Sequence, residues 1–268
     1  MISISPNLNI MIKAAEKASK SVIRDFGEVE KLQVSKKGPY DFVTKTDKNV
    51  EKILIEELSK IKKNYSFLSE EVGAIDNKDK ENIWIIDPID GTTNFMHGNP
   101  NFAISIAAEV DNKLEAGIVY CPIFDELFFA ERGKGAFLND RRLRVAKRNK
   151  LSESVVVTGI PHIGRGNKEQ FIEEIDQIIS EVAGIRRSGS AALDLAWVAA
   201  GRYDAYWEYG LSLWDIAAGI IIIREAGGVV TGLDGSEDDL YTGNVIAGND
   251  NIHESLLKKI KNIYLQDS

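Results

Sequence analysis

The stretch WIIDPIDGTTNF, from Trp84 to Phe95, runs a short apolar segment straight into two aspartates three positions apart. Ile83 to Ile86 reads as a short buried strand. Pro88 is expected to stop its ladder, and Asp90-Gly91 is strong turn chemistry. One aspartate in such a turn is ordinary. Two at the mouth of a buried strand repel each other unless a shared proton or a cation lies between them. Hard oxygen donors with no histidine or cysteine beside them favour Mg²⁺, Mn²⁺ or Ca²⁺ over Zn²⁺. The following GTTN adds a second element. Gly91 permits close backbone approach, and Thr92-Thr93 can open a helix whose free N–H groups face an anion. Carboxylates that hold cations, set beside an anion-binding turn, are what phosphate-ester hydrolysis requires.

On the N-terminal side, Ser5 and Pro6 read as the cap and first position of a helix, with Leu8, Ile12, Ala15, Ser19, Val22 and Phe26 at helical spacing. A second helix is predicted from Thr46 or Asp47, with Val50, Ile53, Leu54, Leu58 and Ile61 on one face. On the C-terminal side, FAISIAAEV, LEAGIVYCP, ELFFAERG and GAFLNDRRLRV read as strands joined by tight turns such as Asp111-Asn112 and Asn139-Asp140. Such short connections make an antiparallel meander. From about residue 150 helices and strands alternate. SVVVTGI, YDAYWE, GGVVTG and NVIAGN are predicted strands. Helices are predicted over Glu169 to Val182, SAALDLAWVAAG after a Ser190 cap, Trp214 to Ala226, and Ile252 to Ile263. The change of rhythm predicts an α+β lobe over 1–148 and an α/β lobe over 149–268, packed as one catalytic unit.

The length of 268 residues allows an ample core, and 44% hydrophobic with 28% charged residues is an ordinary globular composition. A net charge of −8 argues against a protein held mainly by nucleic-acid backbone or anionic membrane. No run reaches the roughly 18 apolar residues of a membrane span, and no basic-then-apolar leader opens the sequence. The single cysteine, Cys121, excludes an internal disulfide and reads as a small buried hydrophobe. Together these predict a cytoplasmic chain.

Acidic residues occur at four punctuated places: Asp47 at a helix start, Glu70-Glu71 after YSFLS, Asp87 with Asp90, and Asp215 after Trp214. Singly, each reads as a cap or a solvated charge. As a set they resemble something more specific. DPIDGTTNF together with WDIAAGIIIIREAGG is similar to the two motifs of the inositol monophosphatase family. The upstream acidic pair and the intervening GSAALDLAWVAAGRYDAYWE extend the likeness over nearly the whole chain. PHIGRG and RRSGSAALDLA resemble the bacterial extragenic suppressor branch of that family.

The resemblance implies an α/β (α+β) fold layered as an α/β/α/β/α sandwich, often a homodimer, dependent on Mg²⁺, with Mn²⁺ as a substitute and Li⁺ as an inhibitor. By position, it implies that Glu70, Asp87 and the Ile89 carbonyl hold one cation. Asp87, Asp90 and Asp215 would hold a second, and a weaker third would lean on Glu70. Thr92, paired with Asp47, would orient the attacking water. The N–H groups of Gly91 and Thr92 would hold phosphate. Asp90, Gly189, Ser190, Ala191 and Glu208 would meet the hydroxyls of a sugar or cyclitol. The implied activity is hydrolysis of a small phosphorylated polyol, above all myo-inositol monophosphate. A sibling activity on fructose 1,6-bisphosphate, a nucleotide bisphosphate or histidinol phosphate is the enzymatic alternative. A regulatory module contacting RNA polymerase or RNA is the other.

After His97-Gly98 the chain carries Asn99-Pro100-Asn101, where the family commonly has an apolar or aromatic residue. His97 reads as a turn residue near the site, His162 as a loop residue and His253 as an exposed helix-start residue, so no zinc site is predicted. RGKGAF lacks the spacing of a phosphate-binding loop and reads as a hairpin turn. DNKDKE lacks the pattern of a calcium loop and reads as a solvated connection. RRLRVAKRNK, Arg141 to Lys150, is the one basic cluster. It reads as a solvated strand end, with an RNA or polymerase contact as the alternative.

Overall fold

In the computed structural model, which describes residues 4–26, 34–36, 42–161 and 166–267, the apolar run before Asp87 is covered on both faces. That is why it shows no hydrophobic alternation. Helix α1 (Pro6–Phe26) starts where Ser5 caps it, the Leu8 N–H donating to Ser5 Oγ at 3.2 Å. Strands β1 (Val34–Lys36) and β2 (Phe42–Thr44) form an antiparallel pair that leads into α2 (Lys45–Ser59). Val50, Leu54 and Leu58 of α2 are buried. Ile61, expected on the same face, lies past the helix end and is 63% exposed.

Strands β3 (Tyr65–Ser69) and β4 (Gly73–Ile75) precede β5 (Asp79–Asp90), which is longer than the sequence suggests at both ends. The acidic run read as a solvated link is already strand from Asp79, and Pro88 does not stop the ladder. The register against the next strand instead shifts between the pairs Asp87–Ser105 and Asp90–Ala103. An irregularity of this kind accommodates a residue with no N–H to donate. After the short helix α3 (Thr92–Met96) come β6 (Ala103–Val110), β7 (Lys113–Cys121), β8 (Glu126–Glu131), β9 (Gly135–Leu138) and β10 (Arg141–Arg142). They form the expected meander, with Asp111, Asn112 and Asn139 at positive φ in its turns. The eight-stranded sheet has the order β10-β9-β8-β7-β6-β5-β3-β4.

The remaining elements are β11 (Val155–Thr158), α4 (Lys168–Ile179), β12 (Gly184–Arg186), α5 (Ala191–Ala199), β13 (Ala205–Glu208), α6 (Leu213–Glu225), β14 (Val229–Thr231), α7 (Glu237–Leu240), β15 (Val245–Gly248) and α8 (Asp250–Asp267). The five strands pair in the order β12-β11-β13-β15-β14, parallel on the β12 side and antiparallel on the β14 side. Strands β4 and β12 and helix α7, at three or four residues each, are too short to leave a periodic signal in the sequence.

Alternating side chains divide the core into three clusters. Trp84, Ile86, Ile104, Ile106 and Ile118 face α1 and α2, whereas Ile85, Ala107, Val119 and Phe128 face α5 and α6. Val157 and Tyr206 cover the far side of α5 and α6, and Val156, Ala205 and Trp207 face α4 and α8. The layers therefore read α1/α2, sheet, α5/α6, sheet, α4/α8, the α/β/α/β/α sandwich. His253 departs from expectation: it is only 6% exposed, because the first turn of α8 packs on β14 and its Nε2 lies 3.0 Å from Thr231 Oγ1. Cys121 is buried as expected, and RGKGAF makes the β8–β9 turn. His162 lies outside the described residues. Among the described residues, no helix is long and apolar enough to cross a membrane.

Candidate functional site

Two chain segments far apart in sequence deliver three carboxylates to one place. Asp87 and Asp90 come from the irregular end of β5, and Asp215 from the first turn of α6. One carboxylate oxygen from each lies within 4.8 Å of the others. Each is oriented locally. Asp87 Oδ1 accepts the Ile89 N–H at 3.0 Å, a turn bridging the proline. Asp90 Oδ2 accepts Ser190 Oγ at 2.5 Å and the Ala192 N–H at 2.7 Å, which joins β5 to the start of α5. Asp215 forms a capping box with Ser212, accepting the Ser212 N–H at 2.8 Å.

Burial pushes the Asp87 carboxyl well above the usual carboxylate range, and the negative charges of Glu70, Asp90 and Asp215 push in the same direction. Asp90 is pushed up to about 6, chiefly by burial, against the opposing bonds from Ser190 and Ala192. Concentrated negative charge in a buried, all-oxygen setting fits a hard divalent cation, which would return these groups to their ionised form. Glu70 stands beside the trio. It is the strongest charged neighbour of Asp87, and its N–H donates to the Ile86 carbonyl at 3.2 Å.

On the other side lies Asp47. As the third residue of α2 it caps the helix, accepting from the N–H of Thr44 at 3.0 Å and from the Thr44 hydroxyl. Its other oxygen is 3.0 Å from Thr92 Oγ1, which is also 3.0 Å from the Ile89 carbonyl. Capping and site geometry thus coexist in one aspartate, which is fully buried. Burial raises the Asp47 carboxyl, partly offset by the Thr44 and Thr92 hydrogen bonds. Gly91 has φ 95°, and a side chain there would meet the carbonyls of Asn101 at 3.1 Å and Gly189 at 3.2 Å, so only glycine fits.

Gly189, Ser190 and Ala191 open α5 at the same place, and Ser190 Oγ also caps the helix. Their loop is held from two sides. Asn94 Nδ2 donates to the carbonyls of Ser188 at 2.8 Å and Asn101 at 2.6 Å, and Ser188 Oγ donates to the buried Asp194 at 2.5 Å. The Asn99-Pro100-Asn101 segment is therefore part of this clamp. Glu208 ends β13, where the Tyr206 hydroxyl donates to its Oε2 at 2.7 Å.

Residues missed in the sequence reading are the supports. Glu51, 2% exposed on α2, accepts the Ser69 hydroxyl and the N–H groups of Glu71 at 3.0 Å and Val72 at 3.3 Å, so it holds the turn that carries Glu70. Asn94 and Asp194 hold the Ser190 loop. A signal was present: Glu51, Asn94 and Asp194 each lie four residues after a site residue, Asp47, Asp90 and Ser190.

Residues 4–265 match the model of the inositol monophosphatase family. An inositol-1-monophosphatase of Mesorhizobium japonicum is 56% identical over 254 residues, covering 95% of this chain and 96% of that one. The Nus factor SuhB of Pseudomonas aeruginosa is 41% identical over 96% of this chain and 97% of its own. The crystal structure of the extragenic suppressor protein suhB from Bartonella henselae superposes with a TM-score of 0.93 at 50% identity, covering 96% of this chain and 99% of that one. The motifs at Asp87–Phe95 and Trp214–Gly228, the layered sandwich and these likenesses agree: the chain belongs to the inositol monophosphatase family.

Proposed function

We propose that this chain hydrolyses a small phosphorylated polyol, with myo-inositol monophosphate as substrate and Mg²⁺ as the metal ion. The observation that carries the reading is the convergence of the Asp87, Asp90 and Asp215 carboxylates beside the Gly91–Thr92 turn. Glu70, Asp87 and the Ile89 carbonyl would hold one cation, and Asp87, Asp90 and Asp215 a second. Cations held by these residues would supply charge neutralisation for the phosphate oxygens and the leaving oxygen, and would lower the pKa of a bound water.

The chain's own residues do the rest. Thr92 has one hydroxyl proton for two acceptors, Asp47 and the Ile89 carbonyl. When the proton points to Asp47, the Thr92 oxygen presents lone pairs that orient a water for attack. The N–H groups of Gly91 and Thr92 hold phosphate. Asp90, held by Ser190 and Ala192, faces the leaving group together with Gly189, Ser190, Ala191 and Glu208. No cysteine, serine or histidine stands as a nucleophile in this scheme, so the water attacks phosphorus directly.

The test is phosphate release by purified protein across inositol monophosphate, fructose 1,6-bisphosphate, a nucleotide bisphosphate and histidinol phosphate, with Mg²⁺ titrated. The highest kcat/KM is expected for inositol monophosphate, with no turnover in EDTA. A higher value for any other ester overturns the substrate assignment, and full turnover in EDTA overturns the metal assignment.

A second reading has its own support. The relative from Pseudomonas aeruginosa is named a Nus factor, and Arg141, Arg142, Arg144 and Lys147 form an exposed basic strip on a chain of net charge −8. We propose that this strip contacts an anionic partner in transcription, such as RNA. Replacing the four by glutamine is expected to abolish RNA retention in a gel-shift assay and leave phosphate release intact. Unchanged retention removes this reading.

A further inference from the structure

Glu208 stands at an unusual spot in the five-stranded sheet. Parallel strands β11 and β13 pair Val157 with Tyr206 and Thr158 with Trp207, so the next residue, Gly159, comes opposite Glu208. Side chains alternate, and Val157 and Tyr206 point toward α5 and α6. Gly159 and Glu208 continue that face. A Cβ built on Gly159 would fall 2.0 Å from Glu208 Cδ, 2.1 Å from Oε1 and 2.2 Å from Oε2. The carboxylate lies in the space that any other residue at 159 would fill. Gly159 is not at positive φ, so its backbone does not require glycine.

The second constraint comes from Tyr206, two positions earlier on the same face. It is fully buried, and its hydroxyl donates to Glu208 Oε2 at 2.7 Å. Burial, and then the negative charges of Glu208 and Asp194, keep the phenol protonated, so it serves as a donor.

We propose that Gly159 and Tyr206 are positioning residues that set the leaving-group preference of this site. Gly159 leaves the volume in which the Glu208 carboxylate lies, and Tyr206 locks it there, aimed at the hydroxyls of a polyol. The inference rests on the reading of Glu208 as the contact to the leaving group. A methyl group at 159 collides with the far end of a flexible side chain, not with backbone. The variant therefore folds, and Glu208 swings away instead.

The experiment measures kcat and KM on inositol monophosphate and on phenyl phosphate, whose leaving group carries no further hydroxyl, at several Mg²⁺ concentrations. The enzymes are wild type, Gly159→Ala, Tyr206→Phe, Glu208→Gln, Glu208→Asp and the pair Gly159→Ala/Glu208→Asp. Gly159→Ala and Tyr206→Phe are each expected to lose about tenfold in kcat/KM on inositol monophosphate, as Glu208→Gln does. Phenyl phosphate turnover, Mg²⁺ half-saturation and melting temperature stay near wild type. In the pair, the shorter aspartate makes room for the methyl group, so it exceeds Gly159→Ala on inositol monophosphate. If Glu208→Gln shows equal losses on both substrates, the leaving-group reading of Glu208 fails. If Glu208→Gln is selective while Gly159→Ala and Tyr206→Phe leave the preference unchanged, or the pair shows no rescue, the positioning role is overturned.

Discussion

Asp87 concentrates the tension of the site in one residue. It is 2% exposed, and burial together with Glu70, Asp90 and Asp215 disfavours its charged form. As the carboxylate assigned to both cations, it is the group whose loss weakens two sites together. Asp87→Asn keeps the shape and the oxygen that accepts the Ile89 N–H, but not the charge. With Mg²⁺, kcat is expected to fall by about a thousandfold or more, ~4 kcal/mol at 1.36 kcal/mol per decade. Without metal, the melting temperature at pH 8 is expected to rise, since asparagine carries no charge against its three neighbours. Turnover near wild type at saturating Mg²⁺ would remove Asp87 from the metal shell. The ligand types were legible in the sequence because an apolar strand running into DPID leaves few other readings. The supports Glu51, Asn94 and Asp194 left only a spacing, four residues after a site residue, and that spacing does not name the loops they hold.

At the scale of elements, α4 and β13 meet through an acid with no basic partner among the described residues. Glu174 of α4 is fully buried and accepts Trp207 Nε1 from β13 at 3.0 Å and Gln170 Nε2 at 3.4 Å. Burial outweighs both bonds and pushes its carboxyl from 4.5 up to about 8. The native state thus holds a proton that the unfolded chain releases near the ordinary value. The stability this contributes is full below about 4.5 and is lost as pH rises toward about 8. Glu174→Gln retains the acceptor for Trp207 and cannot ionise. Its stability relative to wild type is expected to grow by about 1.4 kcal/mol per pH unit between pH 5 and 8. Urea midpoints of the metal-free proteins at each pH give the answer, and parallel curves would show that Glu174 is ionised in the native state. The helical periods of α4 and of its partner α8 were readable beforehand. That a glutamate of α4 faces the sheet was not, because the residue type argues for solvent.

Across the whole molecule, α5 and α6 form the middle layer, and close backbone contact fixes their distance from the first sheet. A Cβ on Gly117 of β7 would lie 2.5 Å from Ile221 Cγ2 and 2.9 Å from the Ala218 Cα of α6. Because α6 is covered on both sides, it cannot retreat. Gly117→Ala is expected to cost about 1–3 kcal/mol, seen as a lower urea midpoint. An unchanged midpoint would mean that the layer yields. Asp215 begins this helix, so the spacing of the layers also governs the metal site. By itself, the sequence determined the local structure: the helices α1, α2 and α8, the meander with its Asp111-Asn112 turn, the caps at Ser5 and Ser190, and the motifs that name the family. These follow from periodicity and turn chemistry, which act over a few residues. Tertiary structure alone decided that Ser190 and Ala192 grip Asp90 a hundred positions away, that β11 lies between β12 and β13, that Glu208 rests on Gly159, and that His253 is buried. Each depends on which face another layer covers. That is fixed by packing two sheets and three helical layers around shared apolar surfaces, and no local pattern carries it.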